Sequence, residues 1–504
     1  MKALTVTVLL NIALLVASKP SKGEVKIGCD ILKGKYPSSV FFPGEARYDF
    51  ENEYGWSTTS WLGPACIFTP ETPEQVSFAI TTFSENNIKF AVRSGGAMPI
   101  DNAANIGAEG VLIANTNFTS ISMSEDNSIV TVATGVRWPQ LYAYLDDYNV
   151  TVNGIRMGNV GVVGYFLGGG IGFFSYEHGT GSVSVESFEV VLADGSIAEA
   201  SLTQNEDLFW ALRGGGNNFA IVTSVKIRTL NVPTIYASPV SYGSGAEVQQ
   251  RYIQSLVEFA EYADADPKAS MEGQIRWVPS RSPDIFFDAF LFHSEDSSPS
   301  PLGLQNFTAP VFPTTSGNLT QTTMGTWANQ FPYDTDVGNR KLFHFFSIPA
   351  NARAMEICLD EYYKAVAHLA EREGFFTAFS IMPITRRVIE KSTENGGNPV
   401  GLDADSAPAL WLVESPSWLN AADDADVYAA HDAANAAIDS ALAAEGFDQL
   451  RFIYLSDASK SQIEEVFPSY GPANVDRLQQ IRNQYDPESV FTDLLVGGAK
   501  VARA

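Results

Sequence analysis

Apolar residues recur at helical spacing in the stretch "TPEQVSFAITTFSEN". Val76, Ala79, Ile80 and Phe83 fall on one face, Thr72 stands as a cap, Pro73 opens the first turn, and Gln75 is placed to close a capping box. A helix is therefore predicted from residue 72. The apolar run "IKFAV" follows as a strand, and "SIVTVATGVRW" and "SFEVVLADGSIAEAS" alternate with the period of strands, with Asp194 and Gly195 marking a tight turn. After the strand-like "IVTSVKIRTL", prolines and glycines cluster around residue 230 and a boundary is placed there. Beyond it, "IRWV" and "IFFDAFLF" read as strands, residues 294–323 as a long Pro/Ser/Thr-rich surface loop, and "ARAMEICLDEYYKAVAHLAERE" and "DVYAAHDAANAAIDSALAAEG" as helices. A last helix, "VDRLQQIRNQYDPESVF", is stopped by Pro487. The pattern as a whole is α+β.

At 504 residues the chain is long enough for two to four domains. A hydrophobic content of 45% with 12% aromatics fits a packed, folded body. The net charge of -26 repels nucleic acid and anionic lipid, so neither is expected as a partner. The opening "MKALTVTVLLNIALLVAS" has one basic residue, an apolar run too short to span a bilayer comfortably, and the small-residue site Val16-Ala17-Ser18. Residues 1–18 are thus expected to be a signal peptide, and the mature protein to be secreted, soluble and monomeric. Four N-x-[ST] triplets, at Asn117, Asn149, Asn306 and Asn318, fit that address as candidate glycosylation sites. Of three cysteines, Cys29 and Cys66 are the expected disulfide, because both precede the first regular region and would tether the N-terminal segment. Three buried thiols are the alternative.

The usual short motifs are missing: there is no dinucleotide fingerprint, P-loop, H-E-x-x-H or G-x-S-x-G, and the five histidines lack metal-ligand spacing. What stands out is glycine. "RSGG" at 93–96, "GNVGVVGYFLGGGIGFFS" at 158–175 and "LRGGGNNF" at 212–219 lie within one α+β region. Glycine lets main-chain N–H groups close on an anion and lets flat rings pass near the backbone. Any one segment is explained by a tight turn; three together point to a large phosphorylated cofactor.

In their order along the chain, "RSGGAMPI", "GVRWPQLYAYL", "VGVVGYFLGGGIGFFSYEHG", "FEVVLADGS" and "DLFWALRGGGNNFAIVT" resemble the FAD-binding domain of the vanillyl-alcohol oxidase and p-cresol methylhydroxylase superfamily. Downstream, "NGGNPVGL", "SYGPANVDRL" and "QYDPESVF" are similar to its berberine bridge enzyme-like branch, especially fungal members. The resemblance covers roughly residues 60 to 500. It implies an FAD-binding domain over 60–232, a substrate domain over 233–449 whose sheet covers the flavin ring, and a C-terminal segment, 450–504, returning to the FAD domain. It also implies site residues. Arg93, Ser94, Gly95, Gly96, Ala97 and Met98 would surround the FAD pyrophosphate. Gly158, Val160, Gly161, Gly164, Gly168, Gly169 and Gly170 would line the ribityl and ring region, with Ile221 and Val222 near the adenine and Tyr470 and Asn474 as further wall residues.

The chain departs from the family at both positions where relatives attach FAD covalently. The residue after the R-S-G-G turn, a histidine in many relatives, is Ala97, and the residue three before Val160, a cysteine in others, is Met157. Neither has a nucleophile, so FAD is expected to be held without a covalent bond. Catalysis in the family needs a base that takes a substrate proton as hydride leaves for the flavin. Where relatives carry a Y-x-N-Y element, this chain has "YLSD", which makes Asp457 the first candidate base, with a surface turn as its alternative reading. Glu414, in "ALWLVES", is the second candidate, with a strand-edge or solvent-facing position as the alternative. Tyr454 is the third, with a core position as the alternative. His178 is read as structural. The expectation is an FAD-dependent oxidoreductase, with oxygen as acceptor and a hydroxylated small molecule such as a secondary metabolite or sugar as donor. A flavin-fold scaffold or a redox-neutral or oxidative cyclase is the competing reading.

Overall fold

The computed structural model describes residues 22–158, 160–331 and 338–504, and the expected leader, residues 1–18, lies outside them. The first layer is a four-stranded sheet in the order Val40–Phe41, Cys66–Phe68, Gly110–Ala114, Lys89–Arg93, antiparallel at the first pair and parallel at the other two. Its inner strand "GVLIA" is buried at every position, as a strand covered on both faces must be. The helix Pro73–Glu85 connects two of these strands and buries Val76, Ala79, Ile80 and Phe83 against Phe68, Phe90 and Val111. Its cap differs from the sequence expectation. The Thr72 side chain makes no cap bond, and Gln75 Oε1 accepts instead from the main-chain N–H of Glu71 at 2.8 Å.

The Cys29–Cys66 disulfide is present and joins the helix Lys22–Lys35 to the strand Cys66–Phe68, while Cys358 is free and buried. Val25, Cys29 and Leu32 of that helix pack with Phe68, Phe90 and Val111 of the four-stranded sheet. A second sheet of five strands, ordered Ile121–Met123, Ile129–Ala133, Ile221–Arg228, Val185–Val191, Ile197–Ser201, is antiparallel throughout. Its apolar side chains bury themselves with those of the helices Trp138–Asp146, Val162–Leu167 and Glu206–Leu212.

The third sheet has seven antiparallel strands in the order Thr320–Thr322, Ile235–Ser244, Ile285–His293, Ala269–Trp277, Thr377–Ile384, Ala409–Glu414, His344–Pro349. Period-two alternation gives it two different faces. In the strand Ala269–Trp277, Met271 and Ile275 join the core made with the helices Ala246–Tyr262, Ala352–Val366 and Asp424–Ala444, whereas Glu272, Gln274 and Arg276 face a cavity. The stretch 294–323 is less of a surface loop than its composition indicates. Leu304, Phe307 and Phe312 are buried, Phe312 stacks on Tyr242 at 4.2 Å, and Thr320–Thr322 adds an edge strand.

After the helix Pro472–Tyr485 the chain returns to the first sheet, where Leu495 bridges Phe90 in parallel and the N–H of Val496 donates to the Phe90 carbonyl at 2.9 Å. The four candidate glycosylation positions are not equivalent. Asn149 and Asn318 are exposed, whereas Asn117 and Asn306 are half-buried, their amides donating to Thr69 Oγ1 (3.2 Å) and Glu258 Oε2 (2.6 Å).

The disulfide closes a separation of 37 residues. Replacing both cysteines by serine is expected to lower unfolding stability by about 3 kcal/mol through the larger entropy of the open unfolded chain. Urea denaturation of the double variant checks this, and a loss below about 1 kcal/mol would show that the packed N-terminal helix holds this segment by itself.

Candidate active site

A cavity of about 990 Å³ lies between the two glycine-rich turns of the N-terminal half and the polar face of the seven-stranded sheet. Ser94, Gly95, Gly96, Ala97 and Met98 line one side, leaving the end of the strand Lys89–Arg93 in a turn that places Gly96 at φ +65°. Val160, Gly161, Gly164 and Gly168 line the adjoining wall, and Ile221 and Val222 also border the space. The two turns meet main chain to main chain: a Cβ on Gly161 would stand 2.6 Å from the nitrogen of Gly95. No side chain fits between them. Gly164 differs, because a Cβ there would meet nothing within 4 Å and would point into open space bordering the cavity.

Several expected wall residues are placed elsewhere. Arg93 is buried away from the cavity, where its guanidinium pairs with the Glu51 carboxylate and lies 4.8 Å from the Tyr54 ring; burial of the cation calls for that counter-charge. Gly158 packs against the carbonyls of Ala328 and Phe331. Gly169 and Gly170, both at positive φ, form a turn whose carbonyls accept from Ser182 and Gly181, with Gly170 against the Tyr165 ring. Tyr470 donates its hydroxyl to the Gly214 carbonyl at 3.1 Å, and Asn474 donates to the Tyr470 carbonyl. Gly158, Gly169, Gly170, Tyr470 and Asn474 support the wall from behind. The third glycine segment divides likewise: Gly216 and Asn217 reach the cavity, whereas Gly215 is packed against Phe219 and Leu478.

The candidate bases separate clearly. Glu414 is a correction on both readings: it is neither over the cavity nor at an open edge. It is fully buried on the helix side of the sheet, where Oε2 lies 2.8 Å from His431 Nδ1 and accepts from Asn435 Nδ2 at 3.2 Å. The neighbouring strand residue Val413 takes the cavity side. Tyr454 lines the cavity but is buried and stacked on Trp411 at 5.8 Å, and burial pushes its hydroxyl far above the ordinary phenol range. Asp457 closes the one-turn helix Leu455–Asp457; it is half-buried and borders the cavity. Burial pushes its carboxyl up to about 7, Arg156 opposes the shift and Glu272 adds to it. Ser456 of the same turn rests on Gly168, which brings the C-terminal segment onto the glycine wall. His178 does not reach the cavity.

Four polar side chains of the cavity wall escaped the sequence reading. Arg156 and Glu272 form a buried ion pair at 2.5 Å, and Gln274 Nε2 donates to Glu272 Oε1 (2.8 Å) and Ser380 Oγ (2.9 Å). All four line the cavity. The available signal was the alternation in "MEGQIRW", where polar residues at every second position mark a strand face that is not part of an apolar core. The pairing with Arg156, over a hundred residues upstream, had no such signal.

Sequence models of two families match the chain: an FAD binding domain at residues 64–201, and berberine and berberine like at residues 467–493. A FAD-dependent monooxygenase of Penicillium roqueforti, prx3, is 31% identical over 94% of this chain and 93% of its own length. The chain belongs to the berberine bridge enzyme-like family. Its fold is also similar to two solved structures. These are 6-hydroxy-D-nicotine oxidase from Arthrobacter nicotinovorans (TM-score 0.76, 20% identity, 91% of this chain and 97% of that one) and glucooligosaccharide oxidase from Acremonium strictum (TM-score 0.75, 19% identity, 94% and 99%). This berberine bridge enzyme-like protein is an FAD-dependent oxidoreductase, and the residues present fit the cofactor: its second glycine turn leaves at Gly164 a cradle that any side chain would fill.

Gly164→Leu is therefore expected to keep the fold, since glycine is the weaker helix former and nothing obstructs the new side chain, while weakening FAD binding at least about tenfold. Flavin fluorescence titration of the deflavinated protein measures it. Unchanged affinity would place the cofactor away from this wall.

Proposed function

We propose that this enzyme is a secreted oxidase that removes hydride from a hydroxylated small molecule, a secondary metabolite or a sugar, while Asp457 takes the hydroxyl proton, with FAD held by contacts alone and oxygen reduced to hydrogen peroxide. The observation that carries the reading is the position of Asp457. Its carboxyl borders the cavity between the glycine wall and the polar sheet face, with a proton affinity raised toward neutrality by burial. When bound, FAD supplies the two-electron acceptor. The protein's part is to break the substrate O–H bond toward Asp457, to exclude bulk water, and to orient the donor on the sheet. Gln274 and Ser380 offer hydrogen-bonding groups there, with Phe290, Met382 and Val413 giving apolar surface beside them. Such a mixed wall suits a flat or ring-shaped hydroxylated molecule.

The names of the structural neighbours, an oxidase of a hydroxylated nicotine and an oxidase of gluco-oligosaccharides, support the donor class. Support for the untethered cofactor comes from the lining itself. Ala97 and Met157 both border the cavity, and among its described lining residues there is neither histidine nor cysteine. By contrast, the glucooligosaccharide oxidase is described by its 6-S-cysteinyl, 8α-N1-histidyl FAD. Secretion is supported by the leader-like residues 1–18 and is consistent with the Cys29–Cys66 disulfide.

Two measurements test the proposal. Acid precipitation of the yellow protein is expected to leave the flavin in the supernatant, and colour in the pellet would overturn the untethered cofactor. Anaerobic bleaching of the flavin absorbance by a screened donor, a phenolic alcohol or an oligosaccharide, is expected to slow by about 10² to 10⁴-fold in Asp457→Asn. The carboxylate is the active form, so the wild-type rate should be flat above about pH 7 and fall with acidification below it, by roughly tenfold per unit. An acid limb that persists unchanged in Asp457→Asn would assign the base elsewhere. A protein that no donor bleaches would favour a scaffold or redox-neutral cyclase.

A further inference from the structure

Arg156 and Asp457 border the same cavity, and Arg156 is close enough for its charge to act on the Asp457 carboxyl. A guanidinium free to pair with that carboxyl would hold it ionised and make it a poor proton acceptor, since a close opposite charge lowers a carboxyl pKa by about 1 to 3 units. The structure arranges otherwise. Among the described residues, the ion pair of Arg156 goes to Glu272 at 2.5 Å and none joins it to Asp457. Both partners are buried, Nη2 of Arg156 is turned to the Met382 sulfur at 2.9 Å, and Glu272 is fixed from its other side by Gln274, itself bonded to Ser380.

We propose that Glu272 is a positioning residue that holds Arg156 away from Asp457 and so leaves the Asp457 carboxylate unpaired and able to accept the substrate proton. Charge in the interior then closes locally, as Arg156 with Glu272, and Asp457 remains the group whose protonation is decided by burial. The other charged and titratable groups around the space do not compete for this role. Arg276 is bonded to Asp288 through Nε at 2.8 Å, Lys341 lies 4.4 Å from the Trp56 ring, and Tyr165 and Tyr454 are held neutral by burial. On its own turn Asp457 has only Tyr454 as a titratable neighbour, and the strand Thr377–Ile384 presents the neutral Ser380 and Met382.

The inference rests on the reading of Asp457 as the base, and its test is chosen to be independent of turnover. Difference infrared spectroscopy of the FAD-loaded protein across pH follows the carbonyl band of a protonated carboxyl, assigned to Asp457 by its disappearance in Asp457→Asn. In the wild type its midpoint is expected near pH 7. In Glu272→Gln the released Arg156 turns to Asp457, and the midpoint should fall by at least about one pH unit. In the double variant Glu272→Gln with Arg156→Met, which leaves no unpaired buried charge, the midpoint should return to the wild-type value or above. A midpoint unmoved in Glu272→Gln, or one that stays low in the double variant, overturns the inference while the Asp457→Asn bleaching rate still judges the base. The expected shifts together with an undiminished bleaching rate in Asp457→Asn would instead overturn the base assignment and, with it, the purpose ascribed to Glu272.

Discussion

The close approach of two main chains, at Gly95 and Gly161, is the constraint on which the site depends. With no Cβ between them, the turn that ends a parallel strand and the turn that opens a short helix lie against each other and form a continuous wall. A Cβ on Gly95 would stand 2.3 Å from the nitrogen of Gly161, and one on Gly161 2.6 Å from the nitrogen of Gly95, so a methyl group at either position would force the walls apart. The other glycines of these segments do different work. Gly158, Gly169 and Gly170 let neighbouring chain pack behind the wall, and Gly164 leaves space in front of it.

The opposite wall follows from sheet geometry. Seven antiparallel strands with helices on one face must turn alternate side chains toward the cavity, and these strands use that alternation to keep polar groups out of the apolar core. The same alternation seals Glu414 with His431 on the helix side, one residue from Val413 on the cavity side. Burial then governs the chemistry of each acid. Glu414 is pinned by hydrogen bonds in a closed core. Glu272 is neutralised by Arg156, and Asp457 is left with a proton affinity near neutrality.

Ala97 and Met157 present a methyl group and a thioether to the cavity, whereas one structural neighbour, glucooligosaccharide oxidase, is described by a 6-S-cysteinyl, 8α-N1-histidyl FAD. Under the proposed reading, in which FAD is held by contacts alone, binding rests on the closeness of these walls, so the Gly95 and Gly161 contact and the open space at Gly164 carry more weight than they would beside a covalent bond.

Local pattern was enough for the helix at Pro73–Glu85, the strands around the Asp194 turn, the glycine segments and the Cys29–Cys66 pairing, because periodicity, turn residues and cysteine position act over a few residues at a time. Asp457 was singled out by the family resemblance and not by local pattern, and the structure places it at the cavity. Local pattern did not determine which way Arg93 turns, which side of its strand Glu414 occupies, or that Tyr470 and Asn474 stand behind the wall. Nor did it show that Arg156, in an irregular segment, meets a glutamate on a strand of the seven-stranded sheet. Those outcomes depend on where a charge finds its counter-charge once water is excluded, and only the packing of distant segments against one another decides that.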